Sequence, residues 1–193
     1  LMLNEVQDKK WLTLEQGADI INLKGKVDEL DARVNQMSVF EDVLGMNGEG
    51  DFEIMFTLKT EYQTRYSLWN SIDQFEALSK EWELLQFKTI DAKPMIQKTE
   101  QFIRVVNQAE RNLSENPVVP KLKNMVWQYK DALPAVLALR SPFLEPEHWE
   151  SIRALMNVDI DPEDSRLKLR DLFAFNINNF APELIEISTQ ALQ

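Results

Sequence analysis

Apolar residues recur along most of this chain at the three- and four-residue steps that bring side chains to one face of a helix. Between residues 20 and 37 these steps alternate regularly, which is the spacing of a heptad seam: Ile20, Leu23, Val27, Leu30, Val34 and Met37. Thr13 precedes the seam with Gln16 three residues later, a spacing typical of a capping box at a helix N-terminus. The pattern therefore predicts a helix that begins near Thr13 and continues through the seam.

Further helical runs follow, separated by residues that favour turns. The predicted runs cover residues 52–87, 95–113, 119–139, 146–156, 167–173 and 182 to the end. The clearest breaks are the glycine-rich segment Gly45–Gly50, the segment Ser114–Pro117 and the acidic turn Asp159–Asp164. Pro134 falls inside a predicted run, and because proline lacks a backbone N–H we expect the helix to end or kink near residues 131–133.

Antiparallel helices joined by short loops are the arrangement that these runs favour. The predicted fold class is therefore all-α, an elongated stack of antiparallel helical bundles. We predict a helical tail segment with the heptad-like seam over residues 1–50 and helical bundles over residues 51–193. The chain begins with Leu rather than Met and its last residues continue a helical pattern, so we expect both ends to be cuts within a longer protein.

The charge balance excludes several classes of partner. The chain has 32 acidic and 21 basic residues, for a net charge of −11. Binding to nucleic-acid backbones or anionic membranes needs clustered Lys and Arg, so we expect neither nucleic acid nor membrane as a partner. The sequence contains no cysteine, which removes disulfides, thiol catalysis and thiolate metal sites.

Few residues suggest chemistry. His148 is the single histidine, and beside Trp149 at the start of an amphipathic run we interpret it as structural. The acidic turn Asp159–Asp164 lacks the glycine that a calcium-binding EF-hand loop needs, and we interpret it as a solvated capping loop. We predict no catalytic residue, no cofactor-binding residue and no metal ligand in this chain.

Aromatic residues are spread through the helical runs. A surface that stacks nucleic-acid bases interleaves aromatic with basic residues, whereas these lie among Glu and Asp. We therefore interpret them as core-packing residues: Trp69, Phe75, Trp82, Phe87, Trp127, Tyr129 and Trp149.

The segment 127–152 is the most specific part of the sequence. Its landmarks are an aromatic-rich helix, the pair Leu133-Pro134, the step Leu139-Arg140, a short connector and His148-Trp149 at the start of a helix. This order resembles the linker region of dynein heavy chains. Segments 66–69, 169–178 and 185–191 are similar to neighbouring helices of that region, so the resemblance covers roughly residues 55–193. Glu147 departs from the family pattern, which often has Arg there.

The resemblance implies a non-catalytic segment that passes force between an ATPase ring and a tail in microtubule-based movement. ATP and Mg²⁺ would bind in the ring of the parent motor and not in this chain. The implied partners are the ring and tail of the heavy chain, intermediate and light chains and neighbouring heavy chains, with microtubules reached only through the parent. The segment 127–152 looks more axonemal than cytoplasmic, which implies the cytoskeleton of the ciliary axoneme.

Six residues are candidates for a structural or hinge role: Pro134, Arg140, Pro142, Pro146, His148 and Trp149. Prolines restrict the backbone, so we hypothesise that the connector 140–146 fixes the angle between successive helical bundles. Two alternatives from other classes remain. One is a free-standing scaffold or adaptor that binds a partner helix through the Ile20–Met37 seam. The other is an all-helical enzyme whose cofactor the sequence does not identify.

Overall fold

The computed structural model describes residues 1–45 and 49–192, and side chains at 41, 42 and 49–52 are outside the description. Its α-helices are α1 Met2–Val6, α2 Lys24–Leu44, α3 Glu49–Glu83, α4 Ala92–Asn112, α5 Val118–Leu139, α6 Pro146–Met156, α7 Leu169–Ala174 and α8 Ala181–Gln190. Short 3₁₀ turns lie at Lys9–Leu12, Gly17–Leu23, Phe87–Thr89 and Ile177–Phe180. The fold is all-helical with packed antiparallel helices, as predicted. Within the described residues, β-pairing is limited to one isolated antiparallel bridge between Gln86 and Lys168.

The chain divides into two compact units. Unit 1 comprises residues 1–73 and 105–122, and unit 2 comprises residues 74–104 and 123–193. The domain boundary expected at residue 50 stays a prediction. None of the described helices combines the length and the apolar character needed to cross a bilayer.

Unit 1 is organised around two tryptophans. The Trp69 indole N–H donates to the Trp11 carbonyl oxygen at 2.9 Å, and the Trp11 indole N–H donates to the Glu5 carbonyl oxygen at 2.6 Å. A Cβ atom on Gly17 would overlap the Trp69 ring, so only glycine fits at that position. The N-terminal segment is thereby held against α3 at the Trp69 side chain.

This packing explains why the helix predicted from Thr13 is wrong. Thr13 follows the 3₁₀ turn Lys9–Leu12, residues 17–23 form a second 3₁₀ turn, and the α-helix begins only at Lys24. The Thr13 hydroxyl does accept from the Gln16 N–H at 3.4 Å, so the capping spacing has a local counterpart. The chain folds in short turns here because Trp11 and Gly17 must both reach Trp69.

Two further boundaries differ from the predictions. The run 52–87 is a helix from Glu49 to Glu83, and Phe87 lies in a separate 3₁₀ turn. Pro134 lies inside α5, which continues to Leu139, so the helix does not end near residues 131–133, and a kink there stays a prediction. Leu133 and Val136 beside it are fully buried, and their burial offsets the roughly 3 kcal/mol that an interior proline costs. The glycine-rich break at 45–50 includes residues 46–48, which lie outside the described residues.

One buried hydroxyl in unit 1 lacks a hydrogen bond. Tyr62 on α3 is 4% exposed, and its hydroxyl has no partner among the described residues. Burial, followed by the neighbouring Tyr66 and Asp28, raises the pKa of Tyr62 to about 12. Ionisation of this phenol is therefore much harder in the folded chain than in the unfolded chain.

We predict that Tyr62→Phe raises the free energy of unfolding at pH 7 by about 1 kcal/mol, because it removes a buried polar group without a partner. It should also flatten the loss of stability at alkaline pH. The unfolded chain ionises Tyr62 near its ordinary pKa of 10.0 while the folded chain resists until about 12. The free energy of unfolding of the wild type is therefore unaffected by Tyr62 ionisation below pH 10.0, and it falls as the pH rises to about 12. The Tyr62→Phe protein lacks this fall.

Urea unfolding at pH 7 and at intervals through the alkaline range measures both effects. Tyr66→Phe is the control for stability at pH 7, because Tyr66 stacks on Tyr62 with ring centroids 5.6 Å apart and is only half-buried. A Tyr62→Phe protein that is less stable at pH 7, with an unchanged alkaline slope, would contradict this interpretation.

Candidate functional site

The six candidate hinge residues lie in unit 2 where α5 leads into α6. Pro134 is inside α5, Arg140 follows its last residue, and Pro142 is exposed in the connector. Pro146 is the first residue of α6, followed within one turn by His148 and Trp149. We call residues 140–149 the corner.

Arg140, at the first end of the corner, contacts Phe87 and Ile90. Its Nε donates to the Ile90 carbonyl oxygen at 3.2 Å, and its guanidinium lies 5.4 Å from the centre of the Phe87 ring. A cation above an aromatic face within about 6 Å is stabilised by roughly 0.5–2 kcal/mol, more when it is desolvated. Arg140 thus joins the end of α5 to the segment between α3 and α4.

Trp149 fastens the other end of the corner to the same ring. The Phe87 and Trp149 rings meet edge to face, with centroids 6.3 Å apart and planes at 88°. Such pairs contribute about 0.5–1.5 kcal/mol beyond burial of their area. Phe87 is fully buried, so one ring contacts the residues at both ends of the corner.

The backbone around Phe87 is itself fixed. The Phe87 N–H donates to the Leu167 carbonyl oxygen at 2.8 Å, and the Leu169 N–H donates to the Leu85 carbonyl oxygen at 3.0 Å. These two bonds flank the isolated bridge between Gln86 and Lys168. The segment before α7 therefore holds the Phe87 ring in position.

His148 caps α6. Its Nδ1 accepts from the Glu145 backbone N–H at 3.0 Å, which satisfies a donor at the start of the helix. The lone pair on Nδ1 is occupied by this bond, so the structure gives the imidazole a capping role. Pro146 at the first helical position suits the same N-terminus.

A groove of about 930 Å³ borders the corner. It is lined by the start of α4, the end of α5 and α8, and it includes Pro134, Arg140 and Pro142. Its walls mix apolar side chains such as Ile185 with hydroxyl groups such as Thr189. Three of the six candidate residues therefore face one surface.

An aromatic cluster forms the centre of unit 2. Phe75 meets Trp82, Phe102 and Tyr129 edge to face at 6.3, 5.0 and 5.4 Å, and Tyr129 meets Phe173 at 4.9 Å. These contacts agree with the interpretation of the aromatic residues as core.

The Tyr129 hydroxyl at the edge of this cluster is hydrogen-bonded within unit 2. It lies 3.4 Å from both the Ser79 carbonyl oxygen and Glu83 Oε1. Burial, and then the Glu83 carboxylate, raise the pKa of Tyr129 above its ordinary value. The phenol therefore stays protonated and serves as a donor.

Trp127 is the exception among the predicted core aromatics. It is half-buried, and the ammonium groups of Lys130 and Lys123 lie 4.7 and 5.3 Å from its ring centre. The two cations cover the indole from either side along α5, so this ring belongs to the surface of unit 2.

In the acidic turn, the carboxylates accept hydrogen bonds from neighbouring residues of the same segment. Asp161 Oδ1 accepts from the Glu163 N–H at 2.9 Å, and Asp164 accepts from the Arg166 backbone and guanidinium. These hydrogen bonds from Arg166 lower the pKa of Asp164. Among the side chains that the structure describes, which leave out 41, 42 and 46–52, no three acidic or histidine groups are placed together as they would be to hold a metal ion.

The first half of the predicted seam is buried within unit 1 by other residues of this chain. Its members change from buried to exposed along the chain, from the 3₁₀ turn into α2: Ile20, Leu23 and Val27 are buried, Leu30 and Val34 are half-buried, and Met37 is 51% exposed. A partner helix cannot dock on side chains that the chain itself already covers. The scaffold alternative therefore loses the first half of its proposed surface.

Comparison with known proteins gives a family for most of the chain. Residues 55–193 match the protein family described as dynein heavy chain, N-terminal region 2. The chain is 27% identical to human dynein axonemal heavy chain 6 over 192 residues, which is 97% of this chain and 5% of that protein. The chain is thus about a twentieth as long as that relative.

Two further relatives come from a green alga and a sea urchin. The chain is 25% identical to the dynein alpha chain of the flagellar outer arm of Chlamydomonas reinhardtii, over 64% of this chain and 3% of that one. It is 22% identical to the ciliary dynein beta chain of Tripneustes gratilla, over 74% of this chain and 3% of that one. The named relatives are axonemal, flagellar or ciliary.

Sequence analysis missed Phe87 as a member of the site. The helical pattern continues to Phe87, because residues 84–89 contain neither glycine nor proline to mark a turn. The Ile90 carbonyl oxygen accepts a hydrogen bond from Arg140, and nothing in the sequence around Ile90 predicts this contact. Arg140 is identified through its place in the dynein-like segment, whereas His148 and Trp149 also stand out as the single histidine and a neighbouring tryptophan at the start of a helical run.

We predict that Phe87→Ala lowers the free energy of unfolding by about 3–5 kcal/mol, the range for removing a buried aromatic ring. The cost should be at the upper end because Arg140 and Trp149 lose their shared partner. Phe143→Ala is the control, since Phe143 is 55% exposed and its truncation should change stability by less than about 0.5 kcal/mol. Equal effects of the two variants in urea unfolding would show that Phe87 has no special role.

Proposed function

We propose a mechanical and docking role for this chain, which belongs to the family dynein heavy chain, N-terminal region 2. In this proposal it is a segment of a heavy chain and not a catalyst. It passes force between an ATPase ring and a tail during microtubule-based movement. ATP and Mg²⁺ bind in the ring of the parent protein. Microtubules are contacted by other parts of the parent protein and not by this chain. The names of the relatives support a place in the axoneme of a cilium.

The observation that carries this proposal is the shared contact of Phe87 with both ends of the corner. A segment that transmits force must resist bending between its helices, and close-packed interiors deform little. Arg140 and Trp149 both contact a fully buried Phe87, so a change in the angle between α5 and α6 breaks at least one of these contacts. We propose that the corner, including Pro142 and Pro146, fixes that angle.

Docking is the second part of the proposed role. The chain spans 3–5% of the length of the relatives, so most of the parent protein lies elsewhere in sequence. The partners that we propose are the ring and tail of the same heavy chain, intermediate or light chains and neighbouring heavy chains. The groove beside Pro134 and Pro142 is a surface of unit 2 available for such contacts.

The test is Phe87→Leu in the purified native heavy chain that contains this sequence. The substitution keeps an apolar side chain but removes the ring that Arg140 and Trp149 share. We expect ATP turnover to stay near the wild-type rate while microtubule gliding slows several-fold, because the chemistry is intact and its mechanical output is not.

Phe143→Leu in the same heavy chain is the matched control, and it should leave both rates unchanged because Phe143 is an exposed residue of the corner. Wild-type gliding by the Phe87→Leu motor would contradict the proposed role in force transmission. A native polypeptide no longer than the 193 residues of this chain would contradict the proposal at its root.

A further inference from the structure

α5 carries a row of basic and aromatic side chains on one side of the helix. Lys123, Trp127 and Lys130 follow one another at steps of four and three residues, so they are neighbours on the helix surface. The ammonium groups of Lys130 and Lys123 lie 4.7 and 5.3 Å from the centre of the Trp127 ring. Trp127 is half-buried and Lys130 is exposed, so this row belongs to the surface of unit 2.

A cavity between α4 and α5 lies beside this row. It has a volume of about 270 Å³, and its lining includes Ile96 and Ile103 of α4 and Lys130 and Pro134 of α5. Ile96 and Pro134 also line the groove that borders the corner, so the cavity and that groove form one depression along the two helices. We call this depression, together with the row on α5, the α4/α5 groove.

The charge along the α4/α5 groove is opposite in sign to that of the whole chain. Residues 93–104 and 123–137 contain five basic and two acidic residues, whereas the chain has a net charge of −11. The two acidic residues are Glu100, which lines the cavity, and Asp131, which follows Lys130. The two helices that border the groove therefore carry an excess of positive charge there.

Three of the basic side chains along the groove have no carboxylate partner. Lys93, Arg104 and Lys130 are exposed, and none of them forms an ion pair with a residue that the structure describes. Lys93 lines the part of the groove at the corner, and Lys130 lines the cavity. Arg104 lies one helical turn after Glu100 on the same side of α4. A ligand of opposite charge thus meets positive charge at both ends of the groove and in its middle.

The apolar side chains in the groove restrict the kind of ligand. Ile96 and Ile103 are half-buried, Leu137 is 36% exposed, and Trp127 keeps part of its ring at the surface. A polyanion such as nucleic acid would pair with the basic side chains and leave these apolar groups uncovered. A symmetric pair of chains joined through this groove would bring like charges together. The complementary ligand is apolar on one side and acidic on the other.

We propose that the α4/α5 groove binds an acidic amphipathic helix of a partner protein. Apolar side chains of that helix pack on Ile96, Ile103 and Trp127, as an amphipathic helix does in a groove between two helices. Its carboxylates face Arg104 and Lys130. This inference names the chemistry of one partner for the proposed docking role, and it rests on that role.

The test uses the 193-residue chain and two synthetic helical peptides of about sixteen residues, since α5 rises by about 21 Å between residues 123 and 137. One peptide has a Leu face and a Glu face, and the other has the same Glu face with Ser in place of Leu. We expect the Leu/Glu peptide to bind at least tenfold more tightly than the Ser/Glu peptide in calorimetry. The net charge of −11 repels both peptides, so binding of the Leu/Glu peptide requires a local basic site.

Charge-reversal variants locate the binding. Arg104 and Lys130 are exposed, so the double variant Arg104→Glu, Lys130→Glu should keep its helical circular dichroism and weaken Leu/Glu binding at least tenfold. The matched control is Lys24→Glu, Lys26→Glu, which makes the same change in net charge at two exposed lysines of α2 in unit 1. We expect the control to bind the Leu/Glu peptide nearly as tightly as the wild type.

Three outcomes would overturn the proposal. Equal affinity for the two peptides would make the ligand a polyanion without an apolar face, and equal losses in the two double variants would place the binding elsewhere. A wild-type dimer in sedimentation that the Arg104→Glu, Lys130→Glu variant abolishes would make a second copy the occupant. Each of these results leaves gliding by the Phe87→Leu motor as a separate test of force transmission. Leu/Glu binding that only the Arg104→Glu, Lys130→Glu variant weakens supports the proposal.

Discussion

The burial of the Phe87 ring between Arg140 and Trp149 is the constraint on which the arrangement of unit 2 depends. The ring lies outside any α-helix, yet it is reached by the residues that end α5 and begin α6. Because its backbone N–H is bonded to the segment before α7, movement of the corner displaces the α7 segment as well. The three helices α5, α6 and α7 thus share one point of attachment.

Polar side chains take part in this attachment. The Arg140 guanidinium donates to a carbonyl oxygen and lies over an aromatic ring, and His148 Nδ1 accepts from a backbone N–H. These contacts place both side chains at helix ends. This agrees with a family whose members are far longer than this chain and whose matched part is a helical region.

Helical periodicity predicted the fold class because it reports which face each run buries, and five of the helices end within a few residues of the predicted positions. It failed where tertiary contacts decide the local structure. Thr13 caps no α-helix because Trp11 and Gly17 must reach Trp69, and Pro134 ends none because its neighbours are buried. Phe87 lacks any local signal, so its part in the corner depends on residues about 53 and 62 positions away, which no window of sequence contains.

Amide hydrogen exchange at Phe87 and Leu169 tests most directly whether this attachment opens only when unit 2 unfolds. The Phe87 N–H donates to Leu167 and the Leu169 N–H donates to Leu85, and neither bond is an intrahelical one, although Leu169 is the first residue of α7. We expect both amides to exchange as slowly as the most protected amides of α5, through global unfolding. Exchange at the rate of an exposed turn, with α5 still protected, would contradict it, because the corner would then open freely while the helices stayed folded.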